Sequence, residues 1–335
     1  MRDPARPRID VHVHLSRWWQ ELEHTAYRRE IDYSVGGLLA EMDRNRIGFA
    51  LAIQLRHPPT PEEGLAEGRR SLAASGGRLL PVATVDPTKG PRAVAHAIRC
   101  WEREPLTAIK LFPGYRPFYP HDRRLGPVYE YAHRRGLPVM IHQGDTLDRR
   151  GLIKFARPIE VDEVAVAYPD VRFVLCHLGN PWIEEATELV YKNENVYADT
   201  SGLLAHPSAP HFRRMVERCR TLISGVIDTI GSVDRILYGS DWPLEELRVA
   251  AGLIEDLDLP AADREAILGG NARRLFGIPE RPIAPPGGSY AKGGSGAGRS
   301  RSDRRTPTWT KRRSGGSSER RTTSRGGARP AGTPS

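Results

Sequence analysis

From Ile9 to about Ile278, short apolar runs alternate with longer stretches whose apolar residues recur at three- and four-residue steps. Eight runs read as strands: Arg8–Leu15, Gly48–Leu55, Leu79–Asp86, Ala108–Pro113, Pro138–Asp145, Arg172–Gly179, Asn195–Gly202 and Arg235–Pro243. Several are near-continuous Val, Ile, Leu and Ala, as expected of strands covered on both faces. The intervals predict helices, for example over Val35–Arg46, Pro91–Glu104, Val128–Arg135, Ile159–Tyr168 and Phe212–Ile230. Strands that alternate with helices pair in parallel. Eight such units in about 280 residues match a (β/α)8 TIM barrel. A doubly wound open sheet would not need eight units, and no GxGxxG turn follows the first strand.

Polar residues sit where the apolar runs stop. His12 and His14 end the first strand, Asp86 the third, Lys110 the fourth, and His142 with Asp145 the fifth. His177, Asp199 and Asp241 end the sixth, seventh and eighth. A parallel barrel gathers these ends at one mouth, where barrel enzymes keep their chemistry. His12 and His14 are two apart on a strand, so their side chains point the same way. Each residue alone has a plain structural explanation: a buried, hydrogen-bonded histidine, or Asp241 capping a helix near Leu244. Four strands delivering three histidine positions and an aspartate to one rim form a metal constellation.

The ordered motifs IDVHVHL, AIKLFP, VMIHQGD, LCHLGNPW and LYGSDWP, with GGNARRLFGI closing the barrel, resemble the amidohydrolase superfamily. Within it they resemble the amidohydrolase-2 branch, which includes aminocarboxymuconate semialdehyde decarboxylase and benzoate-type decarboxylases. The resemblance runs from about Ile9 to Ile278 and implies a metal-dependent barrel. It implies His12, His14, His142 and Asp241 as metal ligands, and His177 as a catalytic residue beside a metal-bound water. Asp241 is then catalytic as well, taking the water's proton. Three imidazoles and one carboxylate suit one divalent ion, Zn2+ first, with Mn2+ or another as the alternative. Lys110 reads as a charged pocket residue on a one-metal site; the alternative, a modified lysine bridging two ions, would need His177 as a ligand too. Asp199 either orients a ligand histidine from behind or caps the next element.

The expected pocket wall is Lys110, Arg116, Trp182 and Trp242, with Phe112, Tyr115, Phe118 and Tyr119 nearby and Trp18 and Trp19 in a candidate lid. Aromatics and a cation around a metal fit a planar or carboxylated substrate. The first functional expectation is a hydrolase acting on an amide, ester or lactone. A non-oxidative decarboxylase of an aromatic or unsaturated acid is the alternative on the same site.

Composition changes the picture at one end only. The 335 residues carry a formal net charge of +9, yet residues 285–335 hold 12 Lys+Arg against 2 Asp+Glu. The first 284 residues are therefore nearly neutral, which excludes a basic nucleic-acid binder throughout. The expected division is a barrel over 1–284 and a disordered Gly/Ser/Arg-rich tail over 285–335, too poor in apolar residues to offset its ordering entropy. An anion- or nucleic-acid-binding role acting through that tail is the competing reading of another class. No run approaches the roughly 18 apolar residues of a membrane helix. MRDPARPRID lacks the apolar segment of a signal peptide. Cys100, Cys176 and Cys219 are odd in number and widely spaced, as reduced thiols are. The expectation is a cytoplasmic enzyme with a small-molecule substrate and no membrane partner, with a homodimer left open.

Overall fold

The computed structural model describes residues 7–16, 30–53, 60–204 and 209–280, all within one compact unit spanning Met1–Gly288. Trp18, Trp19 and the tail over 285–335 lie outside the described residues. Eight strands form one sheet in sequential order: β1 (Arg8–His14), β2 (Ile47–Ile53), β3 (Leu79–Thr84), β4 (Ala108–Leu111), β5 (Val139–Ile141), β6 (Phe173–Leu175), β7 (Val196–Asp199) and β8 (Ile236–Leu237). Every consecutive pair is parallel. The seam between β8 and β1 is closed by backbone bonds: Val11 N–H to the Tyr238 carbonyl at 3.0 Å, Asp241 N–H to that of His12 at 2.8 Å, and His14 N–H to that of Trp242 at 2.7 Å.

All eight expected strands are present, and β5, β6 and β8 stop before His142, His177 and Asp241. Ten α-helices are described: α1 (Val35–Arg44), α2 (Pro61–Ala74), α3 (Pro91–Trp101), α4 (Gly126–Arg135), α5 (Asp162–Ala167), α6 (Ile183–Lys192), α7 (Phe212–Ile230), α8 (Leu247–Glu255), α9 (Ala261–Glu265) and α10 (Asn271–Phe276). The helix expected over Ile159–Tyr168 is shorter, because Pro158–Val161 forms a 3-10 turn ahead of α5. Helix α2 carries Pro61 in its first turn and Thr60 as N-cap, whose hydroxyl accepts from Glu63 N–H.

Alternation along each strand separates two cores. Ala108, Met140, Val174 and Leu237 face inward with Ile9, Val11, Phe49 and Val82. Their neighbours Ile109, Ile141, Leu175 and Ile236 face outward against Leu38, Val94, Trp101 and Tyr129 of the helical layer. The closing helix is tied to the base of β8 by Asn271, whose buried amide donates to the Val233 and Ile236 carbonyls at 2.7 and 2.8 Å. Among the described residues no helix is long and apolar enough to cross a membrane. All three cysteines are free.

Candidate metal centre

The inward period carries past the strand ends. Two residues beyond Ala108, Met140 and Val174 come Lys110, His142 and Cys176, and Asp199 ends β7; all four are buried at the barrel's mouth. Strand β1 breaks the rule. With Ile9 and Val11 inside, strict alternation would place Val13 inside and turn both histidines outward. The β1–β2 pairing is irregular between Asp10 and Val13, and Val13 packs instead with the outer core. That irregularity re-aims His12 and His14 into the pocket. Asp10 holds it in place, its Oδ1 accepting from His12 N–H at 2.9 Å and Ser240 N–H at 3.1 Å. Burial pushes the Asp10 carboxyl up to about 7.

The site atoms converge closely. Ligand atoms of His12, His177 and Asp241 lie within 4.8 Å of one another. Asp241 Oδ1 is 3.0 Å from His14 Nε2 and 3.5 Å from His12 Nε2. His142 Nδ1 and His177 Nε2 stand 3.2 Å apart. Burial lowers the pKa of His12, His14, His142 and His177, the last to about 4, so the imidazoles are neutral at neutral pH. Burial works to raise the Asp199 carboxyl, but His12, bonded to it, with His177 and Lys110, outweighs that and pulls it well below the usual range. His14, His12 and His177 together likewise outweigh burial and hold the Asp241 carboxyl well below the usual range.

Hydrogen-bond chemistry then fixes which nitrogens carry electron pairs. His12 Nδ1 faces Asp199 Oδ2 at 2.9 Å, and an ionised carboxylate only accepts, so Nδ1 carries the hydrogen and Nε2 the lone pair. His142 Nε2 faces the Asp145 carbonyl at 2.8 Å, which leaves the lone pair on Nδ1. His177 Nδ1 faces the Ser201 carbonyl at 3.3 Å, which leaves the lone pair on Nε2. Two imidazole lone pairs opposed at 3.2 Å repel unless a positive charge lies between them. The donor set fits a divalent ion.

The expectation from resemblance made His142 a ligand and placed His177 beside it. The tight group contains His177, while His142 contributes the lone pair facing it. Asp199 sits behind both sides: besides His12 it accepts from His177 N–H at 2.9 Å and Ser201 N–H at 3.1 Å. The capping alternative for Asp241 does not hold, since α8 begins at Leu247 and Glu246 precedes it. Lys110 Nζ lies 2.7 Å from Cys176 Sγ and 3.5 Å from His12 Nε2.

Three expected wall residues lie elsewhere. Arg116 Nε is 3.2 Å from Asp86 Oδ2, and its side chain lines a neighbouring depression with Asp148 and Arg150. Trp182 precedes α6 with the Arg157 guanidinium 5.5 Å from its ring. Trp242 is fully buried and stacks on Tyr33 at 5.4 Å, having turned outward where Asp241 turned in. The pocket wall is made instead by Phe112, Tyr115, Gln143, Asn180, Leu147 and Leu244. Tyr115 packs its ring 4.7 Å from that of His142 and accepts through its hydroxyl from Leu147 N–H at 2.9 Å. Asp10, Gln143, Ser201 and Gly202 were not singled out from the sequence. For Asp10, Gln143 and Ser201 the available signal is a polar residue within two positions of a strand-end histidine or aspartate.

Backbone conformation is specialised here as well. His177 and Asp241 are non-glycine residues at φ 63° and 60°, a conformation that costs about 1–2 kcal/mol each and concentrates at functional sites. Gly202, at φ 65°, has no room for a side chain: a Cβ would lie 2.6 Å from His177 Nδ1 and 3.2 Å from Asp241 Oδ2. Gly202→Ala is expected to weaken divalent-ion affinity at least ~10-fold and to destabilise the barrel by about 1–3 kcal/mol. Metal titration and thermal melts check both; unchanged affinity would show that the added methyl displaces neither His177 nor the ligand Asp241.

The chain belongs to the amidohydrolase family: the family model described as Amidohydrolase matches residues 9–278. It is 33% identical over 129 residues to gamma-resorcylate decarboxylase of Polaromonas sp. (strain JS666 / ATCC BAA-500), a match covering 32% of this chain and 35% of that protein. It is 27% identical over 198 residues to gamma-resorcylate decarboxylase of Rhizobium radiobacter, covering 50% of this chain and 56% of that one. The matches thus span between about a third and just over half the length of these relatives. The fold is shared with a dihydroxybenzoic acid decarboxylase from Polaromonas sp. JS666 solved with bound manganese and the inhibitor 2-nitroresorcinol. That likeness has a TM-score of 0.59 and 18% identity, covering 81% of this chain and 97% of that one.

Proposed function

We propose that this member of the amidohydrolase family is a metal-dependent, non-oxidative decarboxylase of a small aromatic acid. The observation that carries the reading is the placement of a buried cation, Lys110, in the same pocket as the imidazole–carboxylate cluster. Among the described residues a thiol and an imidazole nitrogen lie within hydrogen-bond reach of this ammonium, an arrangement that suits an anionic substrate. Hydrolysis of an amide, ester or lactone, placed first on sequence alone, needs the same groups. The matched relatives are aromatic-acid decarboxylases, and they move decarboxylation ahead.

In this reading His12, His14, His142 and Asp241 would hold one divalent ion. Zinc is the first candidate from the ligand types, with manganese the alternative. An ion held there would supply positive charge for the substrate's oxygens. Lys110 attracts the carboxylate, while Phe112 and Tyr115 flank the ring. His177 Nε2, which carries a lone pair, takes a proton from a substrate hydroxyl or a water and delivers it to the ring carbon bearing the carboxylate. The carbon–carbon bond then breaks, its electron pair returns to the ring, and carbon dioxide leaves.

The test is carbon dioxide release from a panel of hydroxybenzoates, run beside hydrolysis of lactones and amides, with the metal-loaded protein. Release from at least one acid, with hydrolysis at background, is the expected result. Hydrolysis without any carbon dioxide would reverse the order of the two reactions.

A further inference from the structure

One side chain in the pocket wall is left unexplained by the metal, the carboxylate grip and the proton transfer. Gln143 follows His142 directly, is fully buried, and lines the pocket. Neither its Oε1 nor its Nε2 has a hydrogen-bond partner. A native structure rarely leaves both ends of a buried amide unsatisfied, since each end loses its water without replacement. Asp199, by contrast, meets His12, His177 and Ser201 within the same mouth. Such an amide has both a donor and an acceptor to offer a ligand.

What would fill it follows from the inventory of the group. The amide offers two N–H donors on Nε2 and an acceptor on Oε1. A carboxylate accepts only, so it would leave Oε1 unpaired, and Lys110 already provides for a carboxylate. An alkyl or unsubstituted ring edge would leave both ends unpaired. A hydroxyl both donates and accepts, and one standing beside the carboxylate presents a donor and acceptors along a single edge. This inference rests on the aromatic-acid reading of the pocket. We propose that Gln143 is the specificity residue of the site, selecting acids whose ring carries a hydroxyl over those that lack one. A site built around a polar partner rejects analogues without it strongly, because its own groups are then stranded.

The experiment reads binding, so that it does not depend on turnover. Metal-loaded wild type and Gln143→Leu are titrated calorimetrically with benzoate, 2-hydroxybenzoate and 2-methoxybenzoate, the last offering an acceptor but no donor. Wild type is expected to favour 2-hydroxybenzoate over the other two by at least ~10-fold, and Gln143→Leu to reduce that ratio to within about threefold. The melting temperature of the ligand-free variant should be unchanged or raised, because two unsatisfied polar atoms have gone. Gln143→Met provides the same comparison if the branched side chain does not pack. A wild type without hydroxyl preference, or a variant that keeps it, overturns the assignment. A hydroxyl preference that Gln143→Leu abolishes, with no carbon dioxide released from any acid, supports the assignment and removes the decarboxylase reading alone.

Discussion

Asp241→Asn is expected to leave a folded barrel that has lost its metal and, with it, at least ~10³-fold in kcat/KM. Asparagine preserves the shape of the side chain and tolerates the left-handed backbone that Asp241 adopts at φ 60°. The backbone bonds at this position, Asp241 N–H to the His12 carbonyl and Leu244 N–H to the Asp241 carbonyl, are untouched. What changes is charge. Oδ1 is the anionic oxygen set against His14 Nε2 at 3.0 Å and His12 Nε2 at 3.5 Å. Without it, neutral imidazoles alone face a divalent ion. Metal analysis, a melting curve and kcat/KM on the accepted acid make the measurement complete. A variant that keeps one equivalent of metal and full turnover would remove Asp241 from the mechanism.

Lys110→Met separates substrate recognition from metal binding. Methionine approximates the length of the lysine stem and fills the same space between Cys176 and the Phe112 ring, which lies 5.3 Å from Nζ. The cation within hydrogen-bond distance of His12 and Cys176 disappears, and kcat/KM should fall by roughly 10²- to 10³-fold, with KM rising. Stability should hold or increase, because an apolar side chain replaces a buried charge. The metal count is the second readout. It should remain at one equivalent; loss of an equivalent would mean that Lys110 helps hold metal, as the two-metal alternative requires.

The barrel was legible in the sequence because its signal is local and repeated. A two-residue period in β4, β5 and β6 carries the inward face from Ala108, Met140 and Val174 to Lys110, His142 and Cys176. Helices α2, α6 and α8 were less legible. Gly64 and Gly68 with the Arg69–Arg70 pair break up the apolar pattern of α2, Glu and Thr take four of the ten positions of α6, and the run before α8 is interrupted by Pro243 and two glutamates. The pocket wall was the least legible part. Arg116, Trp182 and Trp242 follow strand ends in sequence, but each is drawn away by a partner distant along the chain: Asp86, Arg157 and Tyr33.

Eight strand–helix units, a near-neutral body with its excess charge beyond residue 284, and a ring of imidazoles and carboxylates at the strand ends can all be read along the chain. These follow from composition and from periods of two and 3.6, which are properties of neighbouring residues. Only the tertiary structure decided that His12 and His14 point inward. That depends on an irregularity in β1 clamped by Asp10 against Ser240, 230 residues away. It also decided which imidazole nitrogens carry lone pairs, since Asp199 and two backbone carbonyls set them. Alternation fixes a side chain's face only while the ladder stays regular. At a closing seam, hydrogen bonds between the two ends of the chain decide it.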